Sequence, residues 1–404
     1  MKARRLAFSV LPLLALLLLG ECSARLAGVA CEPITPSAAG WDTMVADGRT
    51  LWKLEPDRLF ESPAGTTRTN SVGLRTALEP DQEKGEKERR VMVTGDSSVF
   101  GWGQPDGQSY GEQLEGMLST AFTGVRVRVV NLGVPGFSTE QTLRLLEDVG
   151  WSYEPDLLVV HNIFSDCNID AFQDRHALAL ADPEPKPWHA SALYCACYMP
   201  WARYQATLGQ EPNRVLMPGI PTGANQARRL EDIDQVIDLS RVPLEQYLEN
   251  LDSLQEQAQE RGATLLVAPL AQEWDVGRWT APMDPPGPGQ VLPWYPYRAA
   301  QAEWAQDRGV PQVLLSQAFK DSGVHGDSLF IDNMHPSVSG AWVMAKAVTE
   351  ALRARPELLD LGPEHVARGW QPGAMPRDRL SGPPGGPPPG GPPPGGQPPH
   401  PPPP

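Results

Sequence analysis

Three short strings hold the residues whose types and spacing could do chemistry: Gly95-Asp96-Ser97-Ser98, Asn131-Leu-Gly-Val-Pro-Gly136 and Asp332-Asn-Met-His335-Pro336. In the first, Gly95 lets the chain turn sharply, and Ser97 projects a hydroxyl just beyond the apolar run Val91 to Thr94. In the second, Gly136 has no side chain, which leaves its backbone N–H uncovered and able to face a ligand. In the third, an aspartate and a histidine three apart on one turn can hydrogen-bond side chain to side chain, and Pro336 opens a helix at its first position. Of the seven histidines, only His335 has an aspartate three residues before it, which sets His161 and His325 aside. A hydroxyl, an Asp–His pair and a bare N–H are groups that move a proton and hold a developing negative charge. Taken singly each string is common, since a lone Gly-Asp-Ser arises by chance in any loop.

The three strings gain meaning from the elements around them. Val91 to Thr94, Val125 to Val130 (with Arg126 and Arg128 on one side), Asp156 to Val160, Thr264 to Ala268 and Gln312 to Leu315 read as short strands. Between them, Gln108 to Leu118, Thr139 to Val149, Leu244 to Arg261, Arg298 to Arg308 and Ser337 to Leu352 have helical spacing, and Gly262 closes the third. Strands alternating with helices predict an α/β fold, a three-layer α/β/α sandwich with a mostly parallel sheet. In such folds functional groups sit on loops leaving the carboxyl ends of the strands, which is where Ser97 and Gly136 fall.

In this order and spacing the strings resemble the SGNH/GDSL hydrolase superfamily, whose members carry a Gly-Asp-Ser block after the first strand and a glycine block after the second. An Asn-Asp block follows the third strand, and Asp-x-x-His lies near the end. The longer strings Gly-Asp-Ser-Ser-Val-Phe-Gly-Trp-Gly and Asn-Leu-Gly-Val-Pro-Gly-Phe-Ser-Thr resemble a bacterial envelope branch. Members of that branch often begin with a membrane-spanning or signal segment and an Asn-x-x-Gly-x-Arg stretch, here Asn70 to Arg75. The resemblance spans about residues 68 to 354 and implies a flavodoxin-like sandwich with serine esterase activity. It makes Ser97 the nucleophile on an ester carbonyl, His335 the base and later the acid, and Asp332 the partner that fixes the imidazole tautomer. The N–H groups of Ser97 and Gly136 would hold the oxyanion.

The third block departs from that pattern. The chain reads His161-Asn-Ile-Phe-Ser165-Asp166, and aligning the family's Gly-x-Asn-Asp with Ile163 to Asp166 puts Ser165 where an asparagine normally donates to the oxyanion. Asn162 is a nearby amide, but three residues away on a strand it turns to the opposite face. The implied activity is hydrolysis of an O-acyl ester of a glycan, lipid or small molecule. Acyl transfer to a polysaccharide hydroxyl uses the same residues, and a glycan-binding scaffold without turnover keeps the same fold.

The rest of the chain frames this domain. Lys2, Arg4 and Arg5 precede an apolar run from Leu6 to Gly20, short for a membrane span, so residues 1–24 read as a cleaved signal peptide or a retained membrane anchor. Either one sends the protein out of the cytoplasm to the cell envelope. Residues 25–90 form an extension that packs on the domain at Asn70 to Arg75 and ends in an exposed charged connection, Glu79 to Arg90. The hydrolase-like domain covers 91–356, with an insertion or lid at about 171–240. Residues 357–404 are a tail that turns almost wholly to proline and glycine from Gly382 and cannot fold.

A formal net charge of −15, with no long basic run beyond the extreme N-terminus, argues against nucleic acid as a partner. No cofactor or metal is implied: Cys195-Ala-Cys197 lacks a ligand spacer, and Gly101-Trp-Gly103 lacks the third glycine of a dinucleotide loop. The five cysteines are either small buried thiols or include one bridge, Cys167–Cys195 or Cys167–Cys197.

Overall fold

Seven residues, Glu88–Thr94, form the strand around which the rest is arranged (β1). This computed structural model describes residues 2–30, 44–62, 65–168, 173–181, 187–200, 228–229, 233–276, 290–324 and 326–376. Strand β1 pairs in parallel with Arg126–Asn131 (β2) on one side and with Leu157–Val160 (β3) on the other. Thr264–Val267 (β4) then pairs in parallel with β3, giving the order β2-β1-β3-β4. Val91, Met92 and Val93 are fully buried, as is every residue of β3, because helices cover both faces of the sheet. Each parallel neighbour requires a crossover, and helices supply them.

On one face, helix Tyr110–Ala121 (α1) packs on β2, and Val338–Ala354 (α5) packs beside α1. Helices Thr139–Asp148 (α2) and Leu244–Glu260 (α3) cover the other face, with Trp294–Asp307 (α4) against α3. The chain therefore has the three-layer α/β/α architecture that its alternating pattern predicts. The third helix of that pattern ends at Glu260, one residue early, and α5 runs two residues beyond Leu352.

Three elements differ from the sequence reading. No strand forms at Gln312 to Leu315: Gln312 makes a single parallel bridge to Val267, and a helix begins at Leu315. Pro311 has no N–H to extend the ladder; its carbonyl accepts from Val267 N at 3.0 Å and Val313 N returns one bond at 2.9 Å. Helix α4 starts at Trp294, four residues before Arg298, because Pro296 falls in the first turn, where a missing N–H leaves nothing unpaired. The charged segment Glu79 to Arg90 is not wholly exposed. Arg90 is fully buried, its guanidinium donating to Glu88 (2.7 Å) and to the carbonyls of Tyr153 (2.9 Å) and Gln82 (2.8 Å).

The extension before β1 folds into two antiparallel hairpins, Met44–Asp47 with Leu51–Leu54 and Leu59–Ser62 with Gly65–Arg68. The Asn70 to Arg75 stretch then packs on the sandwich. Asn70 donates to Leu78 O and Tyr153 Oη, both at 2.8 Å, and Arg75 donates to the carbonyls of Phe100 (3.2 Å), Gly101 (2.7 Å) and Gln104 (2.7 Å). Of the insertion at about 171–240, helices Asp174–Ala181, 192–200 and Ile233–Asp238 are described. The proline–glycine tail from Gly382 lies outside the described residues. Cys22, Cys167 and Cys197 are free thiols, so neither bridge from Cys167 forms; Cys195 is disulfide-bonded. Among the described residues no helix is long and apolar enough to cross a membrane.

Candidate active site

Ser97 sits at the end of β1, on a turn that only glycine allows. A Cβ on Gly95 would lie 2.5 Å from Val99 Cγ2, closer than real side chains approach. Asp96 caps the one-turn helix Ser97–Phe100, its carboxylate accepting from Ser98 N at 2.9 Å. That turn delivers Ser97 Oγ to within 2.8 Å of His335 Nε2. On the far side of the ring, His335 Nδ1 lies 2.6 Å from Asp332 Oδ2. Asp332 is itself fixed, its Oδ1 accepting from the N–H of Met334 (2.9 Å) and of His335 (2.8 Å). A carboxylate only accepts, so Nδ1 carries the proton and Nε2 presents its lone pair to Ser97. Burial pushes the Asp332 carboxyl up, but the hydrogen bond and charge of His335 and the two N–H donors outweigh it and hold the group below its ordinary range.

The loop after β2 stands beside that turn. Asn131 accepts from Gly133 N and donates to Val99 O, both at 2.8 Å, and Val134 N donates to Gly95 O at 3.1 Å. Val134 to Phe137 then form a turn closed by Phe137 N to Val134 O at 3.0 Å, with Pro135 second and Gly136 third at φ 78°. That is a type II turn, in which the third residue must tolerate positive φ. Among the described residues, the N–H groups of Ser97 and Gly136 donate to nothing, whereas those of Ser98 and Phe137 do. Two donors are thus left unpaired on the loops that follow β1 and β2.

A serine after the first strand, a bare N–H after the second and an Asp-x-x-His before the last helix meet at one end of the sheet. The chain resembles the SGNH/GDSL hydrolases. No family model matches it, and no curated protein does. Solved structures do. They include an acetylxylan esterase from Geobacillus stearothermophilus, at 14% identity and TM-score 0.39 over 65% of this chain and 94% of that one. An α/β hydrolase from the Lake Arreo metagenome matches at 15% identity and TM-score 0.39, covering 68% of this chain and 97% of that one. A protein described as a GDSL-like lipase, from Parabacteroides merdae, matches at 13% identity and TM-score 0.42, with 68% and 98% covered.

The SGNH/GDSL pattern's third block is where this chain departs. Ser165 is half-buried in the loop after β3, near the Asp96 carboxyl beside Ser97, which it pulls down against the upward push of burial. Asn162 is fully buried and turned toward α2: it donates to Phe137 O (3.3 Å) and Thr142 Oγ1 (3.0 Å) and accepts from Thr94 Oγ1 (3.3 Å). His161 is a core residue between Tyr110 Oη (2.9 Å) and Ala268 O (2.6 Å), and burial drives its pKa down to about 4. His325 lies outside the described residues.

Several residues behind the site carry no signal in the sequence. Arg241 and Asp174 form a buried ion pair at 2.7 Å, and Arg241 Nη1 donates to Gly136 O at 2.7 Å. Asp166 accepts from Thr139 N (2.8 Å) and Thr139 Oγ1 (2.5 Å), and burial raises its pKa to about 7. Trp102 lies 6.3 Å from the His335 ring, centroid to centroid. Nothing in local spacing marks these positions, since their partners are remote in the chain. Among the described residues no group of three or more His, Cys, Asp or Glu is arranged to hold a metal ion.

Proposed function

We propose that the protein is a serine esterase of SGNH type that cleaves an O-acyl ester through an acyl-enzyme on Ser97. The observation that carries this is the continuous line Ser97 Oγ to His335 Nε2 to Asp332, at 2.8 and 2.6 Å. A serine hydroxyl is a poor nucleophile until a base takes its proton. As Ser97 Oγ bonds to the ester carbonyl carbon, its proton passes to His335 Nε2, and Asp332 stabilises the imidazolium. The carbonyl oxygen becomes an oxyanion, for which the free N–H groups of Ser97 and Gly136 are the donors. Collapse breaks the bond to the leaving alcohol, which takes the proton from Nε2. Water then repeats the sequence on the acyl-enzyme, with His335 again as base.

Ser165 is the proposed third donor, in place of the family's asparagine. The substrate class is an acyl ester at the cell envelope, a location supported by the basic and apolar N-terminus.

The experiment is turnover of an activated acetyl ester by the parent protein and by Ser97→Ala, with and without an acceptor sugar. The parent should hydrolyse the ester and be labelled at Ser97 by a serine-directed phosphonate; the alanine variant should do neither and melt at the same temperature. Turnover retained in Ser97→Ala removes Ser97 from the mechanism. Acyl groups recovered on the sugar instead of as free acid make the protein a transferase.

A further inference from the structure

The peptide that joins Pro135 to Gly136 is held from an unexpected direction. Trp52, in the first hairpin of the N-terminal extension, donates its indole Nε1–H to Pro135 O at 3.0 Å. Pro135 O and the Gly136 N–H belong to one planar trans peptide, so they point in opposite directions. Fixing the carbonyl therefore fixes the N–H. This matters in a type II turn, because the central peptide is the one that flips between types I and II, and glycine tolerates both. The Trp52 bond holds the orientation in which the Gly136 N–H is left free. The bond also polarises that peptide, which makes its N–H a better donor.

The surroundings make this contact rigid. A Cβ on Gly136 would lie 3.2 Å from Trp52 Cζ2, so the ring rests directly on the turn. The Arg241 guanidinium lies 5.3 Å from the centre of the same ring, and Phe137 meets it edge-on at 6.1 Å. The hairpin is tied to α2 through Gln141 Nε2, which donates to Thr50 O at 2.7 Å, and Gln141 Oε1 accepts from Arg241 at 2.7 Å. Three successive carbonyls of the turn are thus taken by three remote side chains: Pro135 by Trp52, Gly136 by Arg241 and Phe137 by Asn162.

We propose that Trp52 is a positioning residue for the Gly136 N–H, so that the N-terminal extension is a working part of the active site. The inference rests on the esterase reading for its effect on rate. Trp52 touches no reacting atom; it sets the direction and strength of a donor used most in the transition state, so its loss lowers kcat and spares KM.

The test replaces Trp52 with Phe, and separately with benzothienylalanine, which keeps the indole's shape and lacks its N–H. Both should lower kcat about three- to tenfold, the loss of roughly one hydrogen bond, with KM within about twofold. A second readout is the ¹⁵N resonance of Gly136, which responds to hydrogen bonding at the preceding carbonyl and should move in both variants. Parental kcat with an unmoved Gly136 resonance overturns the proposal. So does a loss of kcat accompanied by an equal rise in KM and a lower melting temperature in the benzothienyl variant, which marks a packing role alone. A parent protein that turns over no acyl ester defeats the esterase reading instead. The Gly136 resonance then decides whether Trp52 orients this peptide.

Discussion

Ser165 is the residue on which the chemistry of this site depends in a way that the triad does not settle. Its hydroxyl lies near Asp96, a carboxyl that burial pushes upward and that neighbouring donors pull down. If the hydroxyl turns to the oxyanion as Ser97 attacks, the gain appears only in the transition state. Deleting one oxyanion donor typically costs roughly 100- to 1000-fold in kcat, and a neutral hydroxyl falls at or below the low end of that range. Ser165→Ala should therefore lower kcat by at least about tenfold with KM nearly unchanged. A Ser165→Ala enzyme with parental kcat and KM shows that the two backbone donors suffice and that Ser165 adds no third. Ser165→Asn restores the family's usual donor and should equal or exceed the parent rate. At this scale the sequence makes Ser97, Asp332 and His335 legible, because Asp-x-x-His is a local pattern and Gly-Asp-Ser follows a readable strand. Trp52 is not legible: its bond to Pro135 O joins residues 83 apart, and an isolated tryptophan in a hairpin looks like any other.

Among the elements, the junction of β3 with α2 holds the least ordinary group. Asp166 is fully buried, with one oxygen on the first N–H and hydroxyl of α2 and its Oδ2 without a hydrogen-bond partner. Its pKa is raised to about 7, whereas an aspartate in the unfolded chain ionises near 3.9. Below about pH 4 both states hold the proton and the difference has no effect. Between about 4 and 7 the unfolded chain is the more ionised, so this group lowers stability as pH rises, until the full effect is reached above 7. His161 acts oppositely: its folded pKa of about 4 makes stability rise with pH from 4 toward 6.5, where an unfolded histidine titrates. Asp166→Asn separates the two, since the amide mimics the protonated acid and His161 is common to both proteins. Relative to the parent, the variant should gain roughly 2 kcal/mol or more between pH 5 and pH 8 by urea unfolding. Any cost of packing the amide is the same at every pH. Parallel stability profiles for the two proteins would mean that Asp166 stays ionised when folded.

The same elements show where spacing stops being informative. Strands β1 to β4 and the five sandwich helices are readable, α4 with its start four residues late, because apolar periodicity and caps are local, as in the Ser138–Gln141 capping box that opens α2. The segment Gln312 to Leu315 looks like another apolar strand, but Pro311 and the helix beginning at Leu315 leave it one bridge. Arg90 reads as solvent-exposed from its charged neighbours, and it is buried because Glu88 and two carbonyls satisfy it.

Across the whole molecule, one element stands apart from the sandwich. Helix Lys2–Leu26 leaves Leu14, Leu16, Leu17, Leu18 and Leu19 between 48% and 67% exposed, while the leucines of the sandwich helices are largely buried. Its described contact with the body lies at its end: Gly20 faces the Leu193 side chain, Ala24 is buried, Glu21 accepts from Ser191 Oγ (2.7 Å) and from the N–H groups of Ala192 (3.2 Å) and Leu193 (3.0 Å), and Arg25 donates to Ala190 O at 2.8 Å. Leucines exposed around a helix are unfavourable in water, and Lys2, Arg4 and Arg5 before them give the charge order of an export signal. We propose that this helix takes the chain out of the cytoplasm and contributes nothing to the chemistry. Two measurements follow from that division. Residues 1–40 fused to a reporter active only outside the cytoplasm should light it. Deleting residues 2–20, which keeps Glu21 and Arg25 in place, should leave kcat/KM on a soluble ester within about twofold, because among the described residues no contact joins these turns to the triad or the oxyanion donors. The deletion should also move the protein into the soluble cytoplasm. A dark reporter accumulating in the cytoplasm sinks the export proposal. Loss of activity in the purified deletion variant sinks the separation of targeting from catalysis.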